Sequence, residues 1–247
     1  MKLVAAGLLT ALVCGCSAAN PSPPPAATPR PDISGTWYRA TNQPLRPAEG
    51  DIPLTPWAAE RMKAERPAAG AAGNQDFRNT TDPSMRYVDP NGYPRISMHP
   101  MKFKMLQTDD YVYQLWEYNQ NWRQIALNQP LPADPPQTWY GNAVGTWDGD
   151  TLVVESVGYK PYTWLDGRGL PHTEELRITE RIRRVGDNLV FDFTFDDPKA
   201  FTKPWSAQLA FEFVKDGAMT ENIYTISDEL LFRERFLNEP SPIPIRR

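Results

Sequence analysis

The segment Leu170-Pro171-His172-Thr173-Glu174 sets one of the chain's two histidines two residues from a carboxylate, just after a glycine-rich loop. Histidine titrates near neutrality, so His172 could give or take a proton with Glu174 as its orienting partner. Asp166 adds a second carboxylate upstream, and Asp166 with Glu174 could serve glycoside hydrolysis if their separation suited it. A histidine in this position can equally do no more than bond a turn carbonyl. Trp139, Tyr140, Trp164 and Trp205, with Arg177 as a charged neighbour, offer flat faces for a sugar, an aromatic ring or a lipid-like molecule. Tryptophans are also large core plugs, so each of these has a structural alternative.

Other chemistries lack their residues. Asp148, Asp150 and Glu155 resemble hard-cation ligands, but the twelve-residue calcium-loop spacing is missing, and Asp148-Gly149 is what a tight turn wants. There is no Gly-x-Ser-x-Gly elbow, Walker loop, dinucleotide fingerprint or His-Glu-x-x-His motif. The second histidine, His99, stands alone between Met98 and Pro100, and no cysteine follows Cys16. No metal site and no cofactor are therefore expected, and the domain has no disulfide. A net charge of −4 and a pI near 5.3 leave no basic footprint for nucleic acid.

The first residues read as an address. Lys2 precedes an apolar run from Leu3 to Val13, too short for a mature membrane span. The run ends in Val13-Cys14-Gly15-Cys16, which resembles the lipobox of bacterial lipoproteins and makes Cys16 the lipidated first residue. Ordinary cleavage near Ala18-Ala19 is the alternative. Ser17 after the cysteine favours the outer membrane, with the protein facing the periplasm. Residues 17–31 carry six prolines and form an extended tether. Residues 32–247 remain for a single domain, long enough to bury roughly 70% of its unfolded surface.

The elements that must position these side chains are mostly strands. Ile33–Arg39 opens the series. Lys102–Gln107, Tyr111–Glu117, Trp122–Leu127, Asn142–Trp147, Thr151–Val157, Glu175–Arg183, Leu189–Phe195, Ala207–Phe213 and Met219–Ile226 follow. Phe191-Asp192-Phe193-Thr194-Phe195 alternates cleanly, and Asp148-Gly149, Gly186-Asp187 and Asp216-Gly217 supply hairpin turns. In Glu175–Arg183, Leu176, Ile178 and Ile182 share a face whose only charge is Glu180. The opposite face, with Arg177, Arg181 and Arg183, is either solvated or turned into a polar lumen. Thr55–Arg66 reads as a helix capped by Thr55, with Trp57, Arg61 and Ala64 on its packing face. Ser227 or Asp228 can cap a closing helix through Leu237. Pro67–Met101, rich in Gly, Pro, Asn and Asp, reads as a long surface excursion of the kind used as a lid or binding loop. Gln129–Gln137 is proline-rich and cannot be a central strand. Consecutive strands with one helix near each end predict an antiparallel meander closed into a barrel or half-barrel, with an open sandwich as the alternative.

Gly35-Thr36-Trp37-Tyr38 resembles the Gly-x-Trp signature of lipocalins, whose Trp closes one barrel end, and Thr108-Asp109-Asp110-Tyr111 is similar to that family's Thr-Asp-Tyr turn. A second resemblance runs through Pro136-x-Thr138-Trp-x-Gly-x-x-x-Gly-x-Trp-Asp-Gly-Asp-Thr-Leu-Val-Val-Glu155, Thr163-Trp-Leu-Asp166, Pro171-His-Thr-Glu174, Thr179-Glu-Arg181 and Asp196–Trp205. This set is similar to an exported bacterial family of uncharacterised proteins, and it implies one domain with an envelope address. The expectation is a membrane-anchored lipoprotein whose barrel binds a small amphipathic or aromatic molecule among Trp139, Tyr140, Trp164, Arg177 and Trp205. Its only tie to the membrane is the lipid anchor, and it has no nucleic-acid partner. The alternative is a cofactor-independent hydrolase or lyase acting on a glycoside-like substrate, with His172, Glu174 and Asp166 as its acid–base set. A scaffold lipoprotein is the third possibility.

Overall fold

Nine strands close into a barrel in chain order in the computed structural model, which describes residues 31–41, 43–67 and 78–239. They are β1 (Gly35–Tyr38), β2 (Phe103–Gln107), β3 (Tyr111–Trp116), β4 (Trp122–Leu127), β5 (Asn142–Asp148), β6 (Thr151–Val157), β7 (Arg177–Val185), β8 (Asn188–Asp196) and β9 (Trp205–Phe213). The signal segment, Cys16 and the tether as far as residue 30 lie outside the described residues.

Alternation explains the wall. Phe191, Phe193 and Phe195 of β8, Ile178 and Ile182 of β7, and Leu209 and Phe211 of β9 point inward and are buried, while the residues between them face water. The charged face of β7 is the solvated outer one, with Arg181 paired to Asp148 at 3.0 Å. Phe103, Phe191 and Phe211 interlock edge to face at 4.8–6.2 Å and fill the interior with ring. Trp37 is buried beneath Arg184, whose guanidinium lies 5.4 Å from the indole and 5.0 Å from Phe213.

The pairing departs from a pure meander at one place. β4 and β5 run parallel, Ile125 against Ala143 and Leu127 against Gly145. Parallel neighbours need a long return, and the proline-rich segment after Leu127 supplies it by running back along the outside of the wall. The registers therefore sort the connections. Tight turns at 108–110, 149–150 and 186–187 close one end, and the longer connections that leave Tyr38, Val157 and Asp196 start from the other.

Four expectations need correcting. Met219–Ile226 is not a strand. Its backbone is taken up by side chains, with Thr220 N–H donating to Glu117 Oε1 (2.7 Å) and Tyr224 N–H to Asn119 Oδ1 (2.5 Å). Asp216-Gly217 accordingly joins no hairpin. The closing helix α3 (Ile226–Phe232) is capped by Thr225, which shares a capping box with Asp228, and it continues as a π turn over Arg233–Leu237. The early helix α1 (Pro56–Ala64) is capped by Thr55 as expected, yet it packs through Ala58 and Met62, and Trp57 is 45% exposed.

The fourth correction concerns the excursion before β2. Asp82, Ser84 and the run Asn91–Met98 are buried as a plug, while Arg86 and Tyr87 stay at the surface. A short helix α2 (Pro83–Arg86) and a 3-10 turn (Arg95–Met98) seat Tyr93, Ile96 and Met98 in the core. Its charges satisfy one another, since Arg95 forks onto both oxygens of Asp82 at 2.8 and 2.5 Å. Gly92 (φ +76°) lets the plug touch the β6–β7 segment, for a Cβ there would meet Thr163 at 2.8 Å.

Candidate functional site

Two side chains on opposite walls meet through the barrel interior. Arg123, on the inward parity of β4 with Ile125 and Leu127, is 2% exposed, and Glu180 of β7 is 0% exposed. Arg123 Nη2 stands 2.8 Å from Glu180 Oε1, close as a charge pair but poorly aligned as a hydrogen bond. Tyr93 enters from the plug, donates its hydroxyl to Glu180 Oε2, and lays its ring 3.9 Å beneath the guanidinium. Gln114 of β3 accepts from Arg123 Nη1 at 3.2 Å. Burial alone would discharge Arg123. The Glu180 carboxylate and the Tyr93 and Tyr159 phenols offset that burial, so the guanidinium stays protonated. Burial and the Glu180 charge together push the Tyr93 hydroxyl well above its ordinary range. The arrangement latches the plug to both walls.

His172 sits deeper than a loop-end residue normally would. Its Nδ1–H donates to the Thr173 carbonyl (3.0 Å), its Nε2 lies 2.8 Å from Thr163 Oγ1, and Tyr159 stands edge-on at 6.2 Å. Burial lowers its pKa, against the opposing pull of the Thr173 carbonyl and Asp197, so the ring is held neutral. Glu174 points away into solvent and pairs with Lys199 at 3.1 Å. Asp166 is buried and engaged by Arg168 through Nη2 (2.6 Å), Nε (2.9 Å) and the backbone N–H (2.9 Å). The three groups of the acid–base set are thus held by three separate partners, and His172 and Glu174 make no hydrogen bond to each other. Asp148 lies at the β5–β6 turn. Among the described residues no group of three or more His, Cys, Asp or Glu side chains is arranged to hold a metal ion.

The aromatic candidates also separate. Trp205 is core, stacked on Phe195 at 4.5 Å and edge-on to Phe201 at 5.5 Å. Trp164 is buried at the plug, with the Arg95 guanidinium 5.3 Å from its ring. Arg177 borders a cleft of about 550 Å³ shared with Glu174, Asp196 and the outer side of the proline-rich return. Trp139 and Tyr140 belong to a different cleft, of about 480 Å³, between the return and the β4–β5 seam. Trp122, Gln124 and Ala126 of β4 form one side of it, Pro130 and Pro132 its roof, and Val144 its far side.

Local backbone chemistry fixes that second cleft. Thr138 pairs with Tyr159, its N–H donating to Gly158 O (2.8 Å) while its carbonyl accepts from Lys160 N–H (3.0 Å). Gly141 (φ +73°) then turns the chain into β5 at a point where a Cβ would strike the Tyr159 ring at 2.6 Å. The turn sends Tyr140 inward against Trp116, ring centroids 5.7 Å apart. Burial and the neighbouring Tyr118 push the Tyr140 hydroxyl above its ordinary range, so it remains an O–H donor. Trp139 stays at the rim, with Tyr162 edge-on at 5.4 Å and the Lys160 ammonium 4.3 Å from its ring. Trp122 is 58% exposed.

Arg123, Tyr93, Gln114 and Trp116 were not singled out by sequence reasoning. A signal existed for the first: in Trp122-Arg-Gln-Ile-Ala-Leu127 the arginine shares parity with Ile125 and Leu127, so it must face inward. No protein-family model matches this chain, and no curated protein matches it in sequence.

Proposed function

We propose that this chain is an envelope lipoprotein whose barrel domain binds a small amphipathic or aromatic molecule in the cleft between β4–β5 and the proline-rich return. The observation that carries the reading is that cleft. Its volume of about 480 Å³ falls in the range of small-molecule sites, and Trp122, Trp139 and Tyr140 supply aromatic surface around few polar groups. Trp122 and Trp139 retain solvent access at its rim, so a ligand's rings can reach them from outside.

Titration with N-phenyl-1-naphthylamine, an uncharged fluorescent amphiphile, tests it. The wild-type protein is expected to enhance and blue-shift the probe's emission. Trp139→Ala should weaken binding about tenfold, the loss of one stacked ring being worth about 0.5–1.5 kcal/mol beyond the area it buries. No response from the wild type, or an unchanged affinity in Trp139→Ala, would remove the cleft as the site.

The address rests on Val13-Cys14-Gly15-Cys16 and the proline-rich residues that follow. Mass spectrometry of the protein expressed with its leader in a Gram-negative host is expected to find acylated Cys16 as the first residue. A soluble form cleaved near Ala18-Ala19 and free of lipid would refute the anchor. The acid–base alternative gains nothing from the geometry, because Glu174 and Asp166 are each committed to a cation away from His172.

A further inference from the structure

Behind the inner end of the aromatic cleft lies a group of buried hydrogen-bond donors without an acceptor. Tyr140 and Arg123 both border the cleft. Behind them, Trp116 stacks on Tyr140, and Gln114 bonds Arg123 through its oxygen, which leaves its amide nitrogen turned elsewhere. Apart from Arg123 Nη2, which faces Glu180 Oε1, four buried polar atoms of this group are unpartnered: Tyr140 Oη, Trp116 Nε1, Arg123 Nε and Gln114 Nε2. Each of them can donate, and three can only donate. A buried donor without an acceptor is costly, so a group of them at one place defines what the place recognises.

Charge decides which acceptor fits. Arg123 is already neutralised by Glu180, so the group as a whole carries no net charge. A carboxylate placed there would be a second buried anion with no cation left to pair it, whereas a neutral carbonyl or ether oxygen satisfies donors without that cost. Lys160 stands over Trp139 at the rim, so an anionic group that paired with it would stay outside.

We infer that the ligand of this cleft is an uncharged aromatic molecule bearing an acceptor oxygen, such as an aryl ketone, quinone or aryl ester, with its rings on Trp139 and Trp122 and its oxygen at the Tyr140 hydroxyl. The inference rests on the cleft being the binding site and adds the chemical class of the occupant.

Three probes of one shape separate the cases by isothermal titration calorimetry: 2-acetylnaphthalene, 2-ethylnaphthalene and 2-naphthoate. The ketone is expected to bind about tenfold tighter than the hydrocarbon, as one hydrogen bond to an otherwise unpaired donor implies, and tighter than the carboxylate. In Tyr140→Phe the ketone-to-hydrocarbon ratio should fall towards one. Equal affinity for ketone and hydrocarbon in the wild type, tightest binding of the naphthoate, or a ratio that survives Tyr140→Phe would each overturn the ligand class while leaving the cleft as the site. Failure of all three probes to bind would take down the cleft reading, and this inference with it.

Discussion

Glu180→Ala is expected to lower the unfolding free energy by about 3–5 kcal/mol, the usual cost of stranding one partner of a buried ion pair. After the substitution Arg123 keeps its charge at 2% exposure, with no carboxylate to face, only Gln114 Oε1, the Tyr93 ring and the Tyr159 phenol. The Tyr93 hydroxyl also loses its acceptor, so the plug is released from the β7 wall in the same step. For a domain of this length that corresponds to a fall of about 10 °C in Tm. Urea unfolding followed by tryptophan fluorescence measures it as a shift in midpoint at unchanged slope. The double variant Arg123→Leu/Glu180→Leu is the informative control. It removes both charges and leaves apolar side chains on an apolar wall, so it should recover most of the loss. A Glu180→Ala protein within 1 kcal/mol of wild type would show that the pair is not what fastens plug to barrel.

Glu180 shows where sequence reading succeeds and where it stops. Parity within one strand is local, so the alternation of β7 assigned Glu180 to the face of Ile178 and Ile182, and the Phe191, Phe193, Phe195 series assigned β8 in the same way. A barrel or half-barrel followed from many short strands with tight turns between them, and its closure came only with the structure. The partners of Glu180 were not local. Arg123 lies three strands away around the wall, and Tyr93 arrives from a segment whose Gly, Pro, Asn and Asp content has the composition of surface loop. Nothing periodic marks Tyr93, Ile96 and Met98 as core; they become core because the registers put the β1–β2 connection at the same end of the barrel as the β6–β7 and β8–β9 connections.

The candidate site was legible to the same degree. Trp139 and Tyr140 were identifiable only as members of a larger aromatic set, and the structure puts these two on one cleft. Trp164 and Trp205 were indistinguishable from them by type, and only packing against Arg95 and Phe195 separates plug and core from rim. The cleft itself depends on the parallel β4–β5 contact. A proline-rich connector rules itself out as a central strand without saying that it will run back along the wall and roof a groove. His172 and Glu174, two apart in sequence, look like a pair on paper. In the fold one is sealed beneath Tyr159 and Thr163 while the other reaches Lys199 in water.

The second large effect is a loss of stability on mild acidification, before carboxylates titrate. Both histidines are held neutral by the fold. Burial takes His99 from 6.5 down to about 4, helped by the Arg95 charge and opposed by Asp82, and its ring stacks on Tyr118 at 4.3 Å with Nε2 buried and unpartnered. Burial lowers His172 as well, with Asp197 and the Thr173 carbonyl opposing and Tyr159 edge-on. Below pH 6.5 the unfolded chain binds protons that the folded chain refuses, so the unfolding free energy must fall as pH falls, from about 6.5 down to the folded pKa values. For His99 alone a displacement of that size corresponds to about 3 kcal/mol, and His172 adds in the same direction. Asp82 has the opposite displacement, lowered by Arg95 against the cost of burial, so its contribution is lost only at still lower pH, below the ordinary carboxylate range. Urea midpoints between pH 7.5 and 4.5 should therefore decline steadily. His99→Phe keeps a ring for the Tyr118 stack and should flatten the decline by roughly the His99 share. A midpoint constant across that range in the wild type, or an unaltered slope in His99→Phe, would mean that the imidazoles are not the groups excluding protons from the native barrel.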